Sequence, residues 1–509
     1  MTAHALMIQG ASSSVGKSLL TAALCRIFAR RGLRVAPFKA QNMSNNAAVC
    51  ADGAEIGRSQ AMQAAAAGTE PTADMNPVLL KPEANSRSQV IVAGRPWRTL
   101  AAREYYEVRE QLWPEIAAAL GRLRATHDLV IIEGAGSPAE LNLRAGEIVN
   151  MAVARHAGSP VLLVGDIDRG GIFAQLLGTL WLLEESDRGL VRGLVVNKFR
   201  GDRSLFVDGE KILRERAQLP VVGVVPFVEG LSLPEEDAAE LVASAPAAPG
   251  HGTLDVAVIR LPRIANFDDF DPLRVEPGVR LRYVDSTDGL GDPDAVILPG
   301  TKSTAADLAW LRATGLAAAI ARMARRGKAV VGICGGFQML GGPIQDLDGV
   351  ESAVGEFHGL ALLPGETTFA REKSTHRVVA HVLGGPGWLG ALKGEVVAGY
   401  EIHMGRTQGP HPWLRLARED APAESSLDGL ADEKGRIWGC YVHGLFANDA
   451  FRRAWLASLD GGRARPAPYS TSLSLEDALD RLARVVEESL DMDELERIIR
   501  EPVEAGPSR

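Results

Sequence analysis

Cysteine is scarce in this chain. The four thiols in 509 residues, Cys25, Cys50, Cys334 and Cys440, form no CxxC pair and no metal-ligand spacing. That excludes a disulfide framework and a cysteine zinc site, and it fits reduced thiols. No uninterrupted apolar run reaches transmembrane length, and Met1 to Gly10 carries no basic leader or cleavage pattern. A cytoplasmic protein without a membrane partner is expected. Basic blocks are also missing and the formal net charge of −9 is modest, so no nucleic-acid footprint exists and small-molecule partners are favoured. Internal repeats and long low-complexity segments are absent. What remains is ordinary globular material, 46% hydrophobic and 23% charged, too long for one core.

Short β-rich runs alternate with helical patterns up to about residue 240. Ala5 to Gln9, Arg34 to Phe38, Leu129 to Glu133, Val161 to Gly165, Gly193 to Asn197 and Val221 to Val225 read as strands. Such alternation predicts a parallel sheet covered by helices. Ala243 to Gly252 is rich in small residues and chain breakers, which places a domain boundary there. A second alternating region, with strands at Leu254 to Arg260, Ala295 to Leu298, Ala329 to Ile333 and Ile437 to Val442, ends near residue 455. The expected fold is α/β, with two parallel-sheet domains at 1–242 and 253–455 and a helical tail at 456–509. In the tail Leu475, Leu479, Leu482, Val486 and Leu490 recur at helical spacing behind a Ser474/Asp477 capping pair, so the helix is expected to pack on the body.

Each domain carries one chemical centre. Gly10-Ala11-Ser12-Ser13-Ser14-Val15-Gly16-Lys17-Ser18 lies between a strand and an amphipathic run, the setting of a phosphate-binding loop. Its amides would cradle phosphate oxygens, Lys17 would reach the outer phosphates, and Ser18 would ligate Mg²⁺. Ala11 stands where the strict pattern has glycine, with Gly10 one residue earlier. Glu133 ends an apolar strand at the sheet's carboxyl edge and is a candidate magnesium ligand; Asp52 and Glu55 follow the second strand as further carboxylates. Lys39, at the end of that strand, is suited to an anionic substrate or to developing phosphoryl charge. Asn197-Lys198-Phe199-Arg200 resembles a base-reading loop, but Arg200 stands where guanine readers place an acid. ATP is therefore favoured over GTP, with Asn197 at the base.

In the second domain Cys334 sits in Gly332-Ile333-Cys334-Gly335-Gly336, between a buried strand and a helical pattern. Flanking glycines permit a sharp strand-to-helix turn that projects the thiol, the placement of a nucleophile. His443, ending the strand from Ile437 and followed by Gly444, is the leading base, with His403 and His358 as rivals. Amides of the Gly300 turn and of Gly335 could stabilise an oxyanion.

Several phrases match one family. Lys39-Ala40-Gln41-Asn42-Met43-Ser44-Asn45-Asn46, Asn76 to Pro82, Asp166-Ile167-Asp168-Arg169-Gly170-Gly171, Asn197 to Asp202 and Tyr400-Glu401-Ile402-His403-Met404-Gly405 closely resemble the cobyric acid synthases, glutamine-dependent amidotransferases of cobalamin biosynthesis. The front half is similar to dethiobiotin synthetase, including the spacing of its loop glycines, and the rear half to triad-type glutamine amidotransferases. The resemblance implies amidation of the b, d, e and g carboxylates of adenosylcobyrinic acid a,c-diamide, a corrinoid, with glutamine as nitrogen donor and ATP and Mg²⁺ as cofactors. It implies a glutamyl thioester on Cys334, an acyl phosphate in the front domain, and a sheltered passage for ammonia between them. Homo-oligomerisation is compatible with this reading. In the wider amidotransferase class a glutamate follows the histidine by two residues, but here Gly444 and Leu445 follow His443. Glu401 and Asp449 are the candidates for orienting it. The competing readings are cobyrinic acid a,c-diamide synthase and a non-catalytic P-loop regulatory partner.

Overall fold

A computed structural model describes residues 3–83, 86–231, 233–234, 253–352, 355–421, 425–460 and 475–501. The expected boundary at 243–252 and Ser474 of the capping pair lie outside them.

Six apolar runs of the front half form one parallel sheet. Its order is Val221–Pro226, Val191–Phe199, Val161–Asp166, His4–Gly10, Leu129–Glu133, Val35–Phe38. These strands are buried almost throughout, which is why they read as continuous rather than alternating apolar segments. A second sheet has Val279–Val284, Leu254–Ile259, Ala295–Leu298, Ala329–Ile333 and Ile437–Cys440 in parallel, closed by the short antiparallel strand Leu430–Ala431.

Two antiparallel additions were not foreseen. In the front domain Val78–Pro82, Arg87–Val92 and Arg95–Ala101 form a meander that extends from Gln41–Met43. In the rear domain the long strands Glu366–Val382 and Val396–Gln408 pair as a hairpin, and the second of them carries Tyr400, Glu401 and His403. Partly exposed residues and a register shift interrupt the period-two pattern of the meander and of the hairpin alike.

The carboxyl-terminal helices pack on the front domain rather than on the neighbouring one. Leu475–Ser489 and Met492–Arg500 bury Leu479, Leu482, Val486, Leu495 and Ile498 in the same core as Leu6, Ile8, Leu24 and Val222. Arg26 pairs with Glu476 and Asp480, and Arg31 with Glu487 and Glu496, along the rim of that contact.

A buried ionic cluster joins the two domains. Glu55 of the front domain binds Lys81 of the same domain and Lys373 of the rear hairpin. Burial alone would raise the Glu55 pKa, but the two ammonium groups outweigh it and hold it at about 2. Burial, only partly offset by Glu55, lowers Lys373 to about 8, because one carboxylate serves two cations. A carboxylate whose folded pKa is depressed contributes stability above its ordinary value of 4.5 and loses it as pH falls toward 2. Glu55→Gln, which strands two buried cations, is expected to cost about 3–5 kcal/mol at neutral pH. Denaturant titrations at a series of pH values should show the gap to the parent protein narrowing through that acid window.

Candidate functional site

The amino-terminal centre is built at the carboxyl edge of its sheet. The loop after His4–Gly10 turns into the helix Lys17–Arg30 through two left-handed residues, Ser14 at φ 57° and Gly16 at φ 95°. A β-carbon on Gly16 would meet the Asn197 amide nitrogen at 2.3 Å, so the position admits only glycine. Lys17 Nζ reaches the carbonyl of Gly136 at 3.1 Å, and Lys198 Nζ donates to Ser14 O at 2.6 Å. Glu133 is a hub. Its Oε1 accepts from Ser18 Oγ at 2.8 Å and lies 2.9 Å from Lys39 Nζ, while its Oε2 accepts from Gln63 Nε2 at 2.6 Å. A cavity of about 1670 Å³ opens beside this cluster, with Ser14, Gly16, Lys17, Ser18, Lys39 and Glu133 in its wall.

The further carboxylates expected at this centre lie elsewhere. Asp52 is exposed on the turn between Ala47–Val49 and Glu55–Gly57, where its carboxylate accepts from Ala54 N, and it does not line the cavity. Glu55, three residues on, is taken by Lys81 and by Lys373 of the rear domain. Asn197 lines the cavity, and its Nδ2 donates to Val15 O at 2.8 Å. Asp166, ending the neighbouring strand, lies 3.1 Å from Lys198 Nζ, the group that binds Ser14 O of the loop.

The carboxyl-terminal centre uses the same geometry in the other sheet. Ala329–Ile333 and Ile437–Cys440 are adjacent parallel strands, and Cys334 N donates to Cys440 O at 2.9 Å. Cys334 and His443 therefore leave neighbouring strands at one edge. Cys334 has φ 50° and ψ −111°, an unfavourable conformation for a residue with a β-carbon, which lifts the sulfur out of the turn. Its thiol donates to Ile402 O at 3.6 Å, and Cys334 and His443 line the same small cavity. Gly300 completes the group, since a β-carbon there would lie 3.1 Å from His443 Cε1 and 3.8 Å from Cys334 Cβ. Gly335 packs against Thr301 so closely that its own β-carbon would sit 2.6 Å from the threonine methyl.

The group that orients His443 is Asp269. Its Oδ2 lies 2.6 Å from Nδ1, and its Oδ1 accepts from Gly444 N at 2.8 Å. Burial alone would lower the imidazole pKa, but Asp269 and then Cys334 outweigh it and raise it to about 10. An imidazole braced by a carboxylate in this way is suited to accept a proton. Glu401, expected in this role, instead lies 3.0 Å from His403 Nε2 and 3.3 Å from Arg418; burial opposes its ionisation, but these partners hold its pKa below the ordinary range. Asp449 pairs with Arg452 at the start of its own helix. Of the rival histidines, His403 stacks on Tyr441 with ring centroids 3.9 Å apart, and His358 stands on the short strand Glu356–His358.

Asp269 was hidden in Asn266-Phe267-Asp268-Asp269-Phe270-Asp271, an acidic run that reads as a solvated loop. The usable signal was the pair of phenylalanines. Phe267 and Phe270 are buried and pin the turn to the core, carrying the acids between them inward.

Two family descriptions cover this architecture. Residues 6–240 match the CobQ/CobB/MinD/ParA nucleotide binding domain, and residues 255–451 match the CobB/CobQ-like glutamine amidotransferase domain. A cobyric acid synthase of Chloroflexus aurantiacus is 54% identical over 98% of this chain and 100% of its own length. One from Roseiflexus castenholzii is 56% identical over 90% of this chain and 92% of its own, and one from Dehalococcoides mccartyi is 47% identical over 98% and 100%. The chain belongs to the cobyric acid synthase family. Membership accounts for both centres occurring in one chain, a nucleotide loop followed by a glutamine amidotransferase domain. Among the described residues no helix is long and apolar enough to cross a membrane.

Proposed function

We propose that this cobyric acid synthase family member amidates corrinoid side-chain carboxylates, the b, d, e and g groups of adenosylcobyrinic acid a,c-diamide, using glutamine and ATP. The observation that carries the reading is the convergence of Cys334, His443 and Asp269 at one sheet edge, in the same chain as a phosphate-binding loop.

In the rear domain the Cys334 sulfur attacks the glutamine side-chain carbonyl while His443 takes the thiol proton and passes it to the leaving nitrogen. Ammonia departs and a glutamyl thioester remains, which water, deprotonated by His443, converts to glutamate. Amides at Gly300 and Gly335 would receive the oxyanion. In the front domain a carboxylate is too poor an electrophile for ammonia, so the γ-phosphoryl of ATP is transferred to it first. Ammonia then displaces phosphate from the acyl phosphate. Lys17 and Lys39 offset the charge of the transferring group.

Mg²⁺ suits the residues present. Ser18 Oγ and Glu133 Oε1 are 2.8 Å apart at the loop, and this ion keeps waters and phosphate oxygens as its other ligands, so it needs no larger protein cage. Bound there, it would neutralise phosphate charge. The wall of the large cavity also includes Tyr105, Tyr106, Trp113, Arg109 and Arg144, apolar faces and cations suited to a macrocycle bearing carboxylates. A sheltered nitrogen route is supported by Lys81 of the front domain, which lines the small cavity of about 50 Å³ beside Cys334.

The deciding experiment incubates the purified protein with adenosylcobyrinic acid a,c-diamide, ATP, Mg²⁺ and amide-¹⁵N-glutamine, and follows the corrinoid by mass spectrometry. Successive incorporation of label at the b, d, e and g positions is the expected result. In a parallel incubation with cobyrinic acid as the corrinoid, label entering only there, in two steps at the a and c positions, would assign the protein to the earlier step.

A further inference from the structure

The His443–Asp269 pair is held in place from outside its own domain. Asp269 lies on the short helical turn Phe267–Phe270, entered through Asn266 at φ 50°. Front-domain residues grip that turn at several points. Asn46 Oδ1 accepts from Phe267 N at 3.2 Å, and Ala47 N donates to Asn266 Oδ1 at 3.0 Å. Asn266 Nδ2 in turn sits 3.3 Å from His443 Nε2.

Arg58 makes the charged contact. Its Nε is 2.9 Å from Asp268 Oδ2, next in sequence to Asp269, and its guanidinium also donates to the Tyr400 hydroxyl. The Tyr400 ring stacks on His443, with centroids 5.1 Å apart and planes at 18°, and the two residues exchange backbone hydrogen bonds. Arg58 thus touches both supports of the imidazole, the turn bearing its acid and the ring covering its face. Asp268 and Arg58 are both mostly buried, so little water is available to replace either partner.

Resting on the glutaminase reading given above, we infer that Arg58 is a positioning residue for the Cys334–His443–Asp269 site, supplied by the synthetase domain, and that the site is incomplete without that domain. The same helix, Arg58–Ala67, presents Gln63 to Glu133 and to the carbonyl of Ser18. One rigid ten-residue element therefore contacts the nucleotide loop at one point and the glutaminase turn at another.

The test uses the full chain carrying Arg58→Ala, Arg58→Lys, Asp268→Asn or Tyr400→Phe, with Cys334→Ser as control. Glutamine hydrolysis is measured as glutamate release, and ammonia-supported amidation as corrinoid product. Loss of a buried charged contact predicts that Arg58→Ala lowers glutaminase kcat about 10- to 100-fold, with KM for glutamine within about twofold. Arg58→Lys should recover part of the loss, because it keeps the charge but cannot hold both partners. Tyr400→Phe keeps the stacked ring, and its kcat should fall by less. Ammonia-supported amidation should be unchanged in all four variants. Unaltered glutaminase kcat in Arg58→Ala, or an equal loss with both nitrogen sources, overturns the inference. If Arg58→Ala does not fold, unaltered kcat in both Asp268→Asn and Tyr400→Phe overturns it instead. Glutamate release that persists in Cys334→Ser refutes the underlying glutaminase reading and is thereby distinguishable.

Discussion

Cys334→Ser should reduce glutamine-dependent amidation by about 10⁴-fold or more, the scale seen when a nucleophile is removed from an intact triad. Amidation driven by an ammonium salt should stay within about twofold of the parent, since the acyl phosphate is made elsewhere. The hydroxyl is a far weaker acid than the thiol, and an imidazole tuned to hold a proton beside sulfur cannot activate it comparably. Lys17→Ala should give the mirror image, loss of amidation with both nitrogen sources while glutamate release continues. Corrinoid mass and glutamate release, measured on both variants in parallel, check the separation. Loss of ammonia-supported turnover in Cys334→Ser would argue against two sites.

Asp269→Asn carries the second large effect. Oδ1 of Asp269 accepts from Gly444 N, and Oδ2 faces His443 Nδ1. An asparagine would keep its one oxygen on the Gly444 amide and turn its NH₂ toward Nδ1, so Nδ1 must become an acceptor and the ring proton moves to Nε2. That is the wrong tautomer for accepting a proton at Nε2, and glutaminase kcat should fall by about 10³–10⁴ with the fold intact. Steady-state glutamate release, with circular dichroism as the structural control, tests it. A loss smaller than tenfold would remove Asp269 from the proton-handling group.

These two predictions differ in how visible their residues are before folding. Cys334 and His443 end apolar strands, and Lys17, Ser18 and Glu133 sit at a strand-to-helix junction or a strand end. Parallel sheets place such positions on one edge, so sequence order was enough to group them. Asp269 comes from a turn whose burial depends on Phe267 and Phe270 entering the core and on Asn46 and Arg58, more than two hundred residues earlier, closing over it. No local pattern records a contact made across domains. Glu401 misled for the related reason that the strand Val396–Gln408 is a long antiparallel arm: His403 and Arg418 meet Glu401 there, while Tyr400, on the opposite face of the same strand, meets His443. Asp52 shows the reverse error, an acid near a strand end in sequence but exposed on a hairpin turn in space.

The helices Leu475–Ser489 and Met492–Arg500 belong, by packing, to the domain that begins the chain. On the ribosome, the first domain must therefore wait for the last residues before its hydrophobic surface around Leu24 and Val222 is sealed, whereas the middle domain can finish earlier. A stop codon ahead of residue 475 would leave the nucleotide-binding body open to aggregation and proteolysis, though every residue of its loop had already been made.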